Sequence, residues 1–195
     1  MRINNIQKVN SIQHDYKNLM QLFDDCFFDK FNTKLVKGQT EPLYIPAGHK
    51  VDNYAMQAWH QILFAHGFFR SALHEVAHWL VAGDARRLKV DYGYWYQTDG
   101  RSANEQALFE QVEVKPQAIE WILTKACRHT FRVSVDNLNG QATDPMPFKQ
   151  AVYQRVLALQ AEGLNERAEC FRLALAQFYG TTLNFQQMHF TLEEL

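Results

Sequence analysis

Two histidines and a glutamate in the pentapeptide His74-Glu75-Val76-Ala77-His78 concentrate more chemistry than any other stretch of the chain. Four residues along a helix turn about 400° and climb about 6 Å, so both imidazoles share one face and converge on a point beside the axis. That is the grip a single divalent metal ion requires. With eight histidines in the 195 residues, chance yields roughly 0.02 such pentapeptides. The residues around it, Phe68, Phe69, Ala72, Leu73, Val76, Ala77, Trp79, Leu80 and Val81, predict a mostly apolar helix with Gly83 placed to end it. A buried helix that carries polar rings needs partners for them, and a bound cation supplies those partners.

Two histidines underfill a metal, so a downstream carboxylate is expected to complete a facial set of three and leave positions open for water or substrate. Glu113 is the first choice for this ligand, because Val112, Val114, Ile119 and Ile122 suit a helix packed against the motif helix, with Glu113 close to the packed face. Glu110, one turn earlier, is the runner-up, either as ligand or as a hydrogen-bond partner to a ligating histidine. The geometry has two readings. With zinc, Glu75 takes a proton from metal-bound water, which is the peptidase chemistry usual for H-E-x-x-H. With ferrous iron, two histidines and one carboxylate leave adjacent sites for dioxygen and substrate, and Glu75 orients a ligand or water. The pentapeptide alone does not choose between them.

The elements that position these groups are legible in outline. After a polar, loosely ordered lead over residues 1–10, Ile12, Tyr16, Leu19, Phe23, Phe27 and Phe31 recur at helical spacing and predict a first helix from near Ser11. Residues 34–36 and 42–45 read as two extended pieces joined around Gly38-Gln39-Thr40, a hairpin ending at Pro46. The stretch 48–61 has no clear period, and 62–65 is either a short strand or the approach to the motif helix. Residues 90–96 are aromatic and β-prone and precede the turn Asp99-Gly100. Ser102 or Asn104 is placed to cap a helical region through Phe109 and Val112, and Pro116 to open a helix continuing to Cys127. Residues 128–135 look extended and 136–147 form a loop. Helices over 148–161 and 165–178 divide at Gly163.

A chain of 195 residues that is 47% hydrophobic and 13% aromatic reads as one domain, 1–195, with a substantial core. Its formal net charge of −1 gives no basic excess and argues against a non-specific nucleic-acid binder. Three scattered cysteines, Cys26, Cys127 and Cys170, form neither a disulfide framework nor a zinc ribbon, as expected of a reducing compartment. No run approaches the roughly 18 apolar residues that span a bilayer, and the first ten residues lack a signal-like apolar stretch. The expectation is a cytoplasmic protein with no membrane partner.

Beyond the pentapeptide, the chain closely resembles the bacterial elongation factor P hydroxylase family. The matching stretches are Glu41-Pro42-Leu43-Tyr44-Ile45-Pro46, Phe64-Ala65-His66-Gly67-Phe68, His74-Glu75-Val76-Ala77-His78-Trp79, Ala82-Gly83-Asp84-Ala85-Arg86-Arg87, Asp91-Tyr92-Gly93-Tyr94-Trp95-Tyr96, Asp99-Gly100-Arg101, Val112-Glu113-Val114-Lys115-Pro116-Gln117-Ala118 and Asp136-Asn137-Leu138. The resemblance implies a non-haem, iron-type oxygenase that hydroxylates the β-lysyl-modified lysine of elongation factor P, with the metal on His74, His78 and Glu113. The metal would be Fe(II), with zinc as an alternative in the isolated protein. A cationic lysyl-lysine arm calls for carboxylates and aromatic faces, and Asp91, Tyr92, Tyr94, Trp95, Tyr96 and Asp99 are the candidates. Arg86, Arg87 and Lys89 form a small basic cluster that suits an acidic partner surface, and His66 is expected to be structural or to support a ligand. A helical H-E-x-x-H argues against the jelly-roll barrel of many iron oxygenases and for a helix-rich α+β fold with a zincin-like helix arrangement.

Overall fold

The computed structural model describes residues 14–51, 53–92, 99–135, 137, 139–140 and 143–195. Among them the order is α1 (Tyr16–Phe31), β1 (Thr33–Lys37), β2 (Leu43–Ile45), β3 (His60–Phe64), α2 (Phe69–Val81), α3 (Ala103–Ala126), α4 (Met146–Glu162) and α5 (Glu166–Tyr179), with three short 3₁₀ turns. The architecture is α+β and helix-rich, with one small sheet. The expected N-terminal lead, and Ser11 and Ile12 at the expected start of the first helix, lie outside the described residues. Within them, Asp15 caps α1 by accepting from the Lys17 amide.

The three strands are ordered β1-β3-β2, with β3 parallel to β1 and antiparallel to β2. The predicted hairpin between β1 and β2 is therefore corrected: both pieces are strands, but neither pairs with the other, because β3 lies between them. The reason is burial. His60–Phe64 is buried along nearly all its length and needs pairing on both edges, whereas β1 and β2 each have a more exposed side to leave at the rim. From β3 the chain turns into α2 through two consecutive left-handed residues, His66 (φ 55°) and Gly67 (φ 76°). A Cβ at Gly67 would lie 3.0 Å from Lys37 Cε, so the turn requires glycine. His66 is thus a turn residue, and its ring packs on Phe68.

One apolar cluster draws on all five helices and the inner faces of β1 and β3. Leu19, Phe23 and Phe27, at four-residue spacing on α1, are buried in it. Phe23, Phe27 and Phe31 surround Trp79 with ring centroids 5.2, 5.0 and 5.6 Å away, and Phe171 of α5 closes the group against Phe23 and Phe27. Offset and edge-on contacts of this kind are each worth about 0.5–1.5 kcal/mol beyond their buried area. This packing fixes the rotation of α2 about its own axis. Its C-terminal carbonyls are also tied down: Arg167 donates to the oxygens of Trp79, Leu80 and Ala82, Asn165 to that of Leu80, and Arg87 to that of Ala82.

α3 begins at a capping box in which Ser102 and Glu105 each bond the other's backbone amide. It then runs unbroken to Ala126. Pro116, expected to open a second helix, lies inside it. It denies Val112 its usual i+4 donor, yet tertiary packing carries the helix through. α4 and α5 follow the expected division at Gly163, and Asn165 caps α5. Residues 128–135, read as extended, form no strand.

Candidate metal centre

On α2, residues His74 and His78 lie about 40° apart around the axis, and Glu75 about 60° further round, while Leu73, Val76, Ala77 and Leu80 turn into the core. Glu113 lies on the packed face of α3 as expected, at 2% exposure, with Ile119 and Ile122 also buried, whereas Val112 of the same pattern turns outward at 42%. α3 carries a polar stripe, Gln106, Glu113, Gln117, Glu120 and Thr124, all buried and spaced at seven, four, three and four residues, of which Glu113 and Glu120 meet the α2 histidines. Such a stripe stays buried only if its members find partners.

The two glutamates find them at the motif and the two glutamines chiefly in the neighbouring coil. His78 Nε2 lies 3.1 Å from His74 Nε2 and 3.2 Å from Glu113 Oε1, and His74 Nε2 lies 3.8 Å from Glu113 Oε2. One ligand atom from each of the three residues fits within a 4.8 Å spread. Neighbouring ligands of a first-row divalent ion are about 3.0–3.4 Å apart when the bonds are about 2.0–2.1 Å. The donor set therefore fits a cation of that kind. Glu110 is not part of this cluster; it accepts from the Gln106 amide at 3.0 Å.

Glu120 was not anticipated from the sequence. Its Oε2 is 2.8 Å from His74 Nδ1. A carboxylate can only accept, so Nδ1 carries hydrogen and Nε2 faces the cluster. The signal was available, because Glu120 follows Glu113 by seven residues, two turns along the same face. Gln117, between them, donates to Glu113 Oε2 at 3.3 Å and exchanges hydrogen bonds with the backbone of Ser134 at 2.8 and 3.0 Å. It ties the 131–135 coil to the carboxylate. Arg101 and Gln106 lace the same coil one turn pair further along, both donating to the Val135 carbonyl.

The electrostatics are those of a cluster short of positive charge. Burial opposes the imidazolium of His74, but Glu120, through its charge and hydrogen bond, and then Glu113, more than offset this and push His74 up to about 10. Burial likewise raises Glu113, yet His78 and His74 outweigh it and hold Glu113 down at about 2. Glu75 is raised from the ordinary carboxylate range by burial, against the pull of both histidines. A proton on His74 occupies the place that a divalent cation would take.

The cluster opens on a cavity of about 770 Å³, walled by Thr40, Phe68, Phe69, Arg70, Tyr92, Phe109 and His129 in addition to the polar groups just described. Of the other sequence candidates, Tyr92 lines this cavity and is 48% exposed. Asp91 instead bonds Arg86 and borders a smaller cavity behind His78. The Asp99 carboxylate accepts from the backbone and side-chain amides of Asn139 at 2.9 and 2.6 Å, bonds that hold it below the usual range. Tyr94, Trp95 and Tyr96 lie outside the described residues. In the basic cluster Arg86 pairs with Asp91 and Arg87 with Asp84, while Arg86 and Lys89 stay at the surface.

The family model described as elongation factor P hydroxylase matches residues 22–190. A protein of Haemophilus influenzae described as elongation factor P lysine hydroxylase is 50% identical over 170 residues, which make up 87% of this chain and 92% of that protein.

Proposed function

The chain belongs to the elongation factor P hydroxylase family, and on that footing we propose that it is a metal-dependent enzyme that hydroxylates the β-lysyl-modified lysine of elongation factor P. The convergence of His74, His78 and Glu113 within a 4.8 Å spread at the end of an accessible cavity carries this reading. These three residues hold one divalent ion, Fe(II) in the active enzyme, with zinc possible as isolated. Two histidines one turn apart on α2 and a carboxylate from α3 make the centre zincin-like. Such an iron supplies the one-electron chemistry toward dioxygen that a closed-shell zinc ion does not.

In balance, one atom of dioxygen enters a C–H bond of the substrate side chain, and the other leaves as water with two protons and two electrons from an external reductant. The protein's own groups set the stage for this. Glu120 holds the His74 ring by Nδ1, Gln117 holds the Glu113 carboxylate, and the rings of Phe68, Phe69 and Tyr92 line the path of the arm. Aromatic faces attract an ammonium by about 0.5–2 kcal/mol. Tyr92 supports the reading of 91–99 as a substrate-facing segment, with Asp91, Tyr94, Trp95, Tyr96 and Asp99 as its other members. The whole of 1–195 acts as one catalytic domain, in the cytoplasm where the translation factor works. Among the described residues no helix is long and apolar enough to cross a membrane. The zinc peptidase reading, open to the pentapeptide alone, is not favoured by a family and a relative that both carry the hydroxylase description.

The deciding experiment is mass spectrometry of the β-lysylated factor after anaerobic ferrous loading of the enzyme and exposure to air with a reductant. A gain of one oxygen atom on the modified lysine is expected. No gain, with the substrate verified as intact, overturns the reading.

A further inference from the structure

Three carboxylates face the centre, and two already have donors: Glu113 has His78 and the Gln117 amide, and Glu120 has His74 Nδ1. The third, Glu75, feels the charge of both histidines but accepts no hydrogen bond from the described residues. It stands where the 770 Å³ cavity meets the smaller one bounded by Tyr44, Trp79 and Asp91. Cationic side chains on the same wall are directed elsewhere. Arg70 donates to the Arg132 carbonyl at 2.9 Å, and Arg101 stacks 4.0 Å over Phe109 while bonding Gln106 and the Val135 carbonyl. Glu75 is half-buried and its carboxylate is accessible from the cavity. An arm that enters displaces solvent from it and must bring a donor in exchange.

Resting on the function proposed above, we infer that Glu75 is a specificity-determining contact whose carboxylate takes an ammonium group of the substrate arm and so sets how far the arm runs past His74 and His78. The ammonium is the complement the site lacks: it brings three donors and the opposite charge to an acceptor set among aromatic faces. A neutral arm of the same length strips solvent from Glu75 without replacing its donors, and sites built around a polar partner reject analogues without it most strongly. Glu75 thus acts on the substrate, in contrast to its use as the base of a hydrolase.

The test compares wild type with Glu75→Gln, both iron-loaded, on the β-lysylated factor and on the same factor with its arm amines acetylated. The expected result is unchanged metal stoichiometry and a KM for the cationic substrate raised about 30-fold or more, with the loss in KM rather than kcat. The acetylated factor is handled alike by both proteins. A fall in kcat with KM unmoved, or equal wild-type preference for the two substrates, overturns the inference while leaving the hydroxylase reading intact. Absence of product with wild type on either substrate overturns that reading instead. A second measurement needs no variant and no turnover: zinc-loaded wild type is titrated with n-pentylamine and with pentan-1-ol by NMR. Cavity resonances, those of Phe68, Phe69 and Tyr92, shift with the amine and not the alcohol; equal binding of the two overturns the inference.

Discussion

His74 is engaged through both ring nitrogens, Nδ1 toward Glu120 and Nε2 toward Glu113 and His78. Because a metal takes the Nε2 lone pair, loading displaces the proton that Glu120 and Glu113 hold on this ring, whose pKa they push up to about 10. Calorimetry of zinc binding at neutral pH, in buffers of different ionisation enthalpy, is expected to find about one proton released. The sign for stability follows. A histidine raised above its unfolded value of about 6.5 contributes stability that is whole below that value and drains away as pH rises through about 10. Metal-free protein should therefore melt progressively lower between about pH 7 and about pH 10, and zinc-loaded protein should lack this component; parallel curves would show that His74 carries no such proton. Substituting His74→Ala, His78→Ala or Glu113→Gln should abolish stoichiometric metal in elemental analysis. Glu120→Gln should keep the metal but weaken it about 10–100-fold. The histidine pair was readable from type and spacing; Glu113 stood ahead of Glu110 only as a first choice, and it is Glu113 that gathers with the histidines. Glu120 was not readable, because a lone glutamate is ordinarily a solvated charge and only the seven-residue interval marks it as facing the same way as Glu113.

At the scale of elements, α3 is a helix whose functional face is its polar one. Gln117→Leu removes the donor to Glu113 and both bonds to Ser134, and should cost about 2 kcal/mol in denaturant unfolding and loosen metal binding about tenfold. Ser102→Ala, which breaks only the capping box, should cost about 1 kcal/mol and leave metal affinity alone. If both variants bind metal equally well, the coil has no hold on the centre. Local rules served well where they faced no competition: Ser102, Asn165 and Gly163 mark real helix boundaries, and the spacing of Leu19, Phe23 and Phe27 marks a real core face. They failed where distant partners decide. β1 and β2 look like a hairpin because the strand that separates them comes later in the chain, and Pro116 looks like a helix start because the packing that sustains α3 through it leaves no local trace. The apolar pattern put Glu113 near the packed face, as found, but Val112 turns outward, and Gln117 and Glu120 join Glu113 in the buried polar stripe without any apolar signal to mark them.

The whole molecule couples this centre to its aromatic core. Phe23→Ala opens space beside Phe27, Trp79 and Phe171 and should cost about 3–5 kcal/mol. Zinc at 100 times its dissociation constant should return about 2.7 kcal/mol by binding only the native state. Thermal melts with and without zinc check both, and the zinc increment should vanish in Glu113→Gln. The arginine clasp on the end of α2 has a wider consequence. Arg167 reaches the Ala82 carbonyl from 85 positions away and the Trp79 carbonyl from 88, so the pitch and roll of the motif helix are governed by a segment with no chemistry of its own. A genetic selection for loss of the modification should therefore recover lesions at Arg167 and Asn165 beside those at the histidines. Revertants of these lesions should map to the Trp79 neighbourhood, where the helix can be re-seated, rather than to the residues that hold the ion.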